Sequence, residues 1–457
     1  AADIKDVGNR LLKHLLGVPE IDLPSDSNPF ILVVRELSPS QLVHLKPELV
    51  LGIATMVGSP TSHAAIMAKA FGIPLVTGLE GKFPRPIATG ELLILDGDTG
   101  VVYVNPDEAT IAEYTERQKR QQAHRRQLRR LADVPAITPD GVKVHLATNI
   151  SSIPELEAAL QNGAESVGLF RTEFLYMNSP RFPSEEEQYR VYRRAAEMLQ
   201  GRPLVIRTLD IGGDKYLDYY ELPEEENPFL GYRAIRFSLD RKDLFKVQLR
   251  AILRAAAHGN VQLMYPLIAS VEEVRAANEV LREAARELAM EGVPHRADIP
   301  VGIMIEVPAA VAIADLLADE VAFFSIGTND LIQFALAVDR MNERIGWMCD
   351  PYQPSVLRML KAVVDAAERR KLPVTVCGEL AGDVKALPML LGLGIHGLSM
   401  AGQSILPVKD VLLRTPAEAC RALVGELLGL RTAEEIRARL ERFCHETKLA
   451  AGHCLGK

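Results

Sequence analysis

Between residues 142 and 399 the sequence reads VKVHLATN (142–149), ESVGLF (165–170), LVIRT (204–208), VQLMY (261–265), VGIMI (301–305), AFFSI (322–326), PVTVC (373–377) and IHGLS (395–399). Each run is short and apolar, ends in turn residues and is followed by a helical pattern, which is the alternation of a parallel α/β fold. Eight such units in one contiguous segment predict a closed (β/α)8 TIM barrel. An open doubly wound sheet is the other arrangement with this alternation. The segment 430–457 is expected to add a terminal helix or two, and no internal repeat is visible.

Upstream, short apolar runs punctuated by Gly and Pro (FILVVREL, LVLGIATMVG, GIPLVTGL and LLILDGDTGVVYVNP) predict a small α/β domain ending near Pro106. From Glu108 to Leu131 the chain is free of Gly and Pro and dense in Gln and Arg. Charge on most faces predicts a solvated helix; a grip on nucleic acid is the sharper reading of its arginines, and a linker between two domains the plainer one. The expected organisation is a small domain over 1–106, a helical linker over 107–133 and the barrel over 134–457.

Composition narrows the function classes. Hydrophobic residues make up 48% of the 457 and charged residues 25%, ordinary values for a globular chain with more than one core. The 52 Lys and Arg against 60 Asp and Glu give a net charge of -8, which argues against a general nucleic-acid or acidic-membrane surface. Any anion site is therefore local. The longest uncharged run, between Lys385 and Lys409, holds four glycines, two prolines, His396 and Gln403, so no membrane insertion is expected. The first residues lack the basic start and apolar core of a secretory signal, and the absence of an initiator Met fits processing or an upstream part cut away. Five cysteines, at 349, 377, 420, 444 and 454, form no C-x-x-C pair and suggest a reducing, cytoplasmic setting.

In a parallel barrel the chemistry gathers where the strands end. Those positions are unusually polar: Asn149, Arg171, Arg207, Glu306, Asn329, Asp330 and Cys377, with Arg233 and Arg340 in nearby loops. Singly, each reads equally well as a surface arginine or a capping acid. Together, the arginine forks suit the paired oxygens of carboxylates and phosphates and predict a small, highly anionic ligand. Glu306 and Asp330 are two hard oxygen ligands of the kind Mg²⁺ takes, with salt-bridge acids as the plainer role. Cys377, before GELAGD, is placed to protonate a carbanion or enolate, or is an inert buried thiol.

In GSPTSHAAIMAKAFGIP (58–74), His63 follows a Gly-Ser-Pro-Thr-Ser loop and precedes a helical pattern. A helix N-terminus with Gly58, Thr61 and Ser62 nearby would hold a phosphoryl group on the imidazole; a surface or core histidine is the plainer reading. Gly392, Gly394 and Gly397 form G-x-G-x-x-G, but they precede a strand and read as a turn. No P-loop motif occurs.

Taken together, TSHAAIMA, GLFRTEFLYM, IRTLDIGGDK, EENPFLGYRAIR, IMIEVPAA, FSIGTNDLIQF, LAVDR and VCGELAGD resemble the phosphoenolpyruvate-protein phosphotransferase family, enzyme I of the bacterial sugar phosphotransferase system. The resemblance runs along the whole chain. It implies that His63 takes the phosphoryl group of phosphoenolpyruvate and passes it to a histidine of a small phosphocarrier protein. By motif position, Arg171, Arg207, Arg233 and Arg340 would bind phosphate and carboxylate with Asn329 assisting, Glu306 and Asp330 would hold Mg²⁺, and Cys377 would protonate the enolate to give pyruvate. It further implies a swivelling phosphohistidine domain and a homodimer formed through the barrel.

Two departures stand out. The family carries a carrier-docking helical subdomain upstream, of which this chain is expected to hold only the last helix. Relatives often read Gly-Gly-Arg-Thr-Ser-His where this chain has Gly58, Ser59, Pro60, Thr61, Ser62 and His63, so one guanidinium is missing and Pro60 stiffens the loop. The competing functions are a Mg²⁺-dependent pyruvate or phosphoenolpyruvate lyase, which needs no separate histidine domain, and a non-catalytic phosphoenolpyruvate sensor.

Overall fold

The computed structural model describes residues 28–36, 49–58, 68, 72–177, 179–213, 215–217, 219–342 and 344–447. The chain divides into two compact units, Ala1–Arg126 and Gln127–Lys457.

In the first unit the alternating apolar runs form a parallel sheet of β1 (Phe30–Val34), β2 (Val50–Thr55) and β3 (Leu75–Val76), in that order. Val50, Ile53, Ala68 and Ile73 form a small core against it. A hairpin follows, β4 (Leu93–Asp96) and β5 (Val101–Val104), paired from Leu93 opposite Val104 to Asp96 opposite Val101. Its turn forms because Asp96 Oδ1 accepts the backbone N–H groups of Asp98 and Thr99 at 3.0 and 3.3 Å. Asp96 also receives Arg117 at 2.7 Å, while Tyr114 meets Tyr103 edge to face. Both partners lie on the helix Glu108–Arg129, the Gly- and Pro-free run of the sequence.

In the second unit the eight apolar runs become β6 (His145–Ile150), β7 (Ser166–Arg171), β8 (Leu204–Arg207), β9 (Val261–Tyr265), β10 (Val301–Ile305), β11 (Phe323–Ile326), β12 (Val374–Val376) and β13 (Gly397–Met400). Every neighbouring pair is parallel, and β13 pairs with β6, from Gly397 opposite His145 to Met400 opposite Thr148. That pairing closes the barrel and excludes the open sheet. Inside it pack Leu169, Val205, Met264, Met304, Phe323 and Cys377, and a far larger apolar shell joins the outer strand faces to the helices. The helices start where the sequence provides caps: Ser270 with Glu273 and Thr432 with Glu435 form reciprocal capping boxes at Val271–Met290 and Ala433–Glu446.

Lys409, on the helix after β13, is buried and donates to the carbonyls of Leu131, Ala132 and Val134 at 3.2, 2.9 and 2.9 Å. Burial draws its ammonium below the usual lysine range, and the three carbonyls give the charge a local partner. The entrance to the barrel unit is fixed there. Among the described residues no helix is long and apolar enough to cross a membrane.

Candidate active site

The C-terminal strand ends carry one dense charged group. Arg207, the last residue of β8, is buried and directs Nη2 at Glu173 and, at 3.0 Å, at Asp210. Lys215 reaches the same two carboxylates at 2.7 Å each. Arg233 is 2% exposed, and its Nη2 bridges Asp210 and Asp330, each at 3.0 Å. Arg340 approaches the other oxygen of Asp330 at 3.5 Å.

Local sequence explains the placement. Gly212, at φ +99°, adopts a backbone that L side chains avoid, and a Cβ there would stand 2.5 Å from that of Arg233. The β8 loop can therefore fold back onto Arg233. Ala234 follows with φ 52°, a strained position held by its N–H bond to the Ile211 carbonyl at 3.0 Å. A satellite core braces this loop: Phe182 packs edge-on against Tyr219 and Tyr220, and Phe237 against Tyr220 and Tyr232. Gln248 ties two strand ends together, accepting from Leu209 N at 2.9 Å and donating to Thr172 Oγ1 at 3.1 Å, which itself donates to the Arg207 carbonyl.

Electrostatics keeps the group charged. Burial opposes ionisation of Asp210, but Arg233, Lys215 and Arg207 outweigh it and hold the carboxyl well below its usual range. For Glu173 burial is again opposed, by Arg207 and Lys215, and the net shift is downward. Glu306 differs: burial first, then the charges of Asp330 and Asp210, raise it to about 8. One of its oxygens accepts the Leu267 N–H at 2.7 Å.

Two close acids, one of them strained in its ionised form, fit a bound cation. Among the described residues no cluster of three or more His, Cys, Asp or Glu side chains forms a metal cage. Two carboxylates, with water and substrate oxygens completing the shell, are what Mg²⁺ commonly takes. Buried guanidinium donors also remain without protein acceptors, Nε of Arg207 and both Nε and Nη1 of Arg233. The site thus has unused donors as well as an unneutralised carboxyl.

At the other side of the mouth, Ser399 Oγ donates to Asn149 Oδ1 at 2.6 Å and Asn149 Nδ2 donates to the Cys377 carbonyl at 2.9 Å. Asn329, in the first turn of Thr328–Leu336, accepts the Glu379 N–H at 3.0 Å. Gly378 makes this possible, since a Cβ there would overlap Thr328 Oγ1. The Cys377 turn is therefore fixed from both sides. Burial pushes the Cys377 thiol up to about 11, so it remains protonated at neutral pH. Arg171 ends β7 half-buried; among the described residues it makes no ion pair, and its charge acts on Cys377 and Glu155.

The structure thus joins Arg207, Arg233, Arg340, Glu306 and Asp330 through direct contacts or mutual charge effects, and it sets Cys377 under the influence of Arg207, Glu306 and Arg171. His63 lies outside the described residues. Sequence reasoning missed Glu173, Asp210, Lys215 and Gln248. The first three stand within a few residues of Arg171, Arg207 or the Gly-Gly turn, which was the available signal. It assigned the arginines to an anionic ligand, and the structure adds that Arg207 and Arg233 also hold internal carboxylates, because buried guanidinium groups require partners. A surface depression of about 860 Å³, lined by Tyr220, Glu224 and Tyr232 among others, contains none of these strand-end residues.

The chain matches the families described as PEP-utilising enzyme, PEP-binding domain, over residues 125–416, and PEP-utilising enzyme, mobile domain, over residues 27–100. Barrel and charged mouth are those of a phosphoenolpyruvate-utilising enzyme. The phosphoenolpyruvate-protein phosphotransferase of Geobacillus stearothermophilus is 44% identical over 442 residues, covering 97% of this chain and 76% of that one. Those of Bacillus subtilis and Staphylococcus aureus are also 44% identical, over 439 and 437 residues, covering 96% and 95% of this chain and 77% and 76% of theirs. The chain belongs to the phosphoenolpyruvate-protein phosphotransferase family, as the resemblance of its motifs implies.

Proposed function

We propose that this enzyme transfers the phosphoryl group of phosphoenolpyruvate to its own His63, releases pyruvate, and passes the group on to a histidine of a small phosphocarrier protein. Residues 1–106 then act as the phosphohistidine domain, 107–133 as the linker about which it swivels, and 134–457 as the substrate-binding barrel. A homodimer through the barrel and a cytoplasmic location accompany this reading.

The observation that carries it is the convergence of Arg207, Arg233 and Arg340 on a mouth that also presents Glu306, Asp330 and a protonated Cys377. Phosphoryl transfer depends mainly on positioning and on neutralising charge. Arg171, Arg207, Arg233 and Arg340 bind the phosphate and carboxylate oxygens, and Asn329 assists. Glu306 and Asp330 hold Mg²⁺, which supplies charge neutralisation at the phosphoryl oxygens when bound. An imidazole nitrogen of His63 forms the new bond to phosphorus as the bond to the enol oxygen breaks. The electron pair stays with the enolate, whose methylene carbon takes the Cys377 proton.

The test is incubation of purified protein with Mg²⁺ and radiolabelled phosphoenolpyruvate. An acid-labile label that disappears in His63→Ala, with pyruvate formed in step, is the expected result. Bound phosphoenolpyruvate without label on the intact protein would instead favour a lyase or a sensor.

A further inference from the structure

Ser325 is the third residue of β11, two positions after Phe323 and therefore on the same inward face of the strand. It is 1% exposed, and its Oγ has no hydrogen-bond partner. A buried hydroxyl without a partner is unfavourable and requires a reason. Its backbone cannot drift, because β11 is paired on both sides, Ser325 standing opposite Met304 of β10 and Thr375 of β12.

The reason stands beside it. Ser325 precedes Ile326, whose carbonyl accepts the Cys377 backbone N–H at 3.0 Å and lies 3.5 Å from Cys377 Sγ, and Cys377 packs with Phe323 inside the barrel, so the hydroxyl and the thiol share that interior. In the resting thiol, Sγ lies 3.5 Å from the Ile326 carbonyl and donates its proton there. Neutral sulfur is a weak acceptor, so Ser325 gains little from it. A thiolate is a charged acceptor, and a donor already placed next to it needs no reorganisation as the charge forms.

We propose that Ser325 stabilises the Cys377 thiolate that forms when the thiol protonates the enolate. The inference rests on the reading of Cys377 as the proton donor. In that step the S–H bond breaks, a C–H bond forms at the methylene carbon, the S–H electron pair stays on sulfur, and the Ser325 O–H turns onto it. The need is real: burial is the largest influence on this thiol and opposes its ionisation. Of the charged groups facing it, Glu306 beyond β10 opposes the thiolate, while Arg207 of β8 and Arg171 of β7 favour it. Ser325 is therefore a positioning residue for the proton-transfer step.

The experiment compares wild type, Ser325→Ala, Ser325→Thr and Cys377→Ala, all as full chains with Mg²⁺. Two quantities are read: single-turnover pyruvate release, and the rate at which iodoacetamide modifies Cys377 at a fixed pH below the thiol's pKa, followed on that peptide by mass. The modification rate scales with the thiolate fraction. Ser325→Ala is expected to slow both by about tenfold or more, leaving KM for phosphoenolpyruvate unchanged, and Ser325→Thr to restore both. Because the lost hydroxyl is unbonded, the thermal midpoint of Ser325→Ala should not fall. Unchanged Cys377 modification in Ser325→Ala, or a loss confined to KM, overturns the proposal. If Cys377→Ala still releases pyruvate at the wild-type rate, the proton-donor reading fails and the proposal with it; the modification rates tell that failure from the other.

Discussion

Arg233 and Asp330, joined at 3.0 Å, tie the loop after β8 to the helix after β11 across the mouth of the barrel. The same guanidinium nitrogen holds Asp210, so one buried cation positions two acids. Removing it leaves Asp210 to Arg207 and Lys215 and leaves Asp330 with only the longer Arg340 contact at 3.5 Å. Arg233→Met should lower unfolding stability by about 3–5 kcal/mol, the usual result of breaking a buried pair from one side. Pyruvate release should fall by more than the loss of folded protein explains. Urea unfolding and a pyruvate assay on the folded fraction check the two effects separately.

Glu306 makes stability depend on pH. Its carboxyl is raised to about 8 in the folded chain from 4.5, so between those values the folded state binds a proton that the unfolded state has released. Stability from this residue therefore falls as pH rises through that window and stays low above about 8. Glu306→Gln should raise the metal-free thermal midpoint at pH 8 by several degrees and leave it unchanged near pH 4. Mg²⁺ requires the ionised form, so its stabilising effect on wild type should grow from about pH 6 to about pH 8 and be absent in Glu306→Gln. Thermal unfolding with and without the metal measures all of these shifts.

The turn that carries Cys377 depends on the missing side chain at Gly378. Its φ of -75° suits any residue, so the restriction is steric: a Cβ would overlap Thr328 Oγ1 and stand 2.9 Å from Thr328 N. Gly378→Ala should push this turn off the start of Thr328–Leu336 and break the Glu379 N–H bond to Asn329. A loss of about 1–3 kcal/mol is expected, together with slower pyruvate release. Adding Thr328→Ala removes one of the two clashes and should recover part of the stability, a coupling that a double-mutant cycle reads directly.

The barrel was legible because each strand is an apolar run closed by turn residues, and eight of them leave few ways to arrange a parallel sheet. The strand-end rule then located Arg207, Glu306, Asp330 and Cys377 without any contact information. Pairing was not legible. No local pattern marks Glu173 and Asp210 as acids that the fold buries against Arg207, and Gln248 acts across a long sequence separation. The segment from Thr208 to Ala234 has no periodic pattern. Its course depends on the Gly212 backbone and on the Phe182, Tyr220 and Phe237 cluster, which are tertiary effects.

Lys409 allows a test at the opposite end of the barrel unit. A buried ammonium is tolerated there because three carbonyls, of Leu131, Ala132 and Val134, surround it. Methionine fills nearly the same volume but donates nothing, so Lys409→Met should leave those carbonyls buried and unbonded. The expected loss is about 2–4 kcal/mol. The residues just after the helix Glu108–Arg129 should exchange their amide hydrogens faster, while the strand ends around Arg207 should not change. Hydrogen exchange over 128–135, compared with that over 204–210, distinguishes a local anchor from a general loss of stability. Equal acceleration of both segments would mean that Lys409 supports the whole barrel and not its entrance alone.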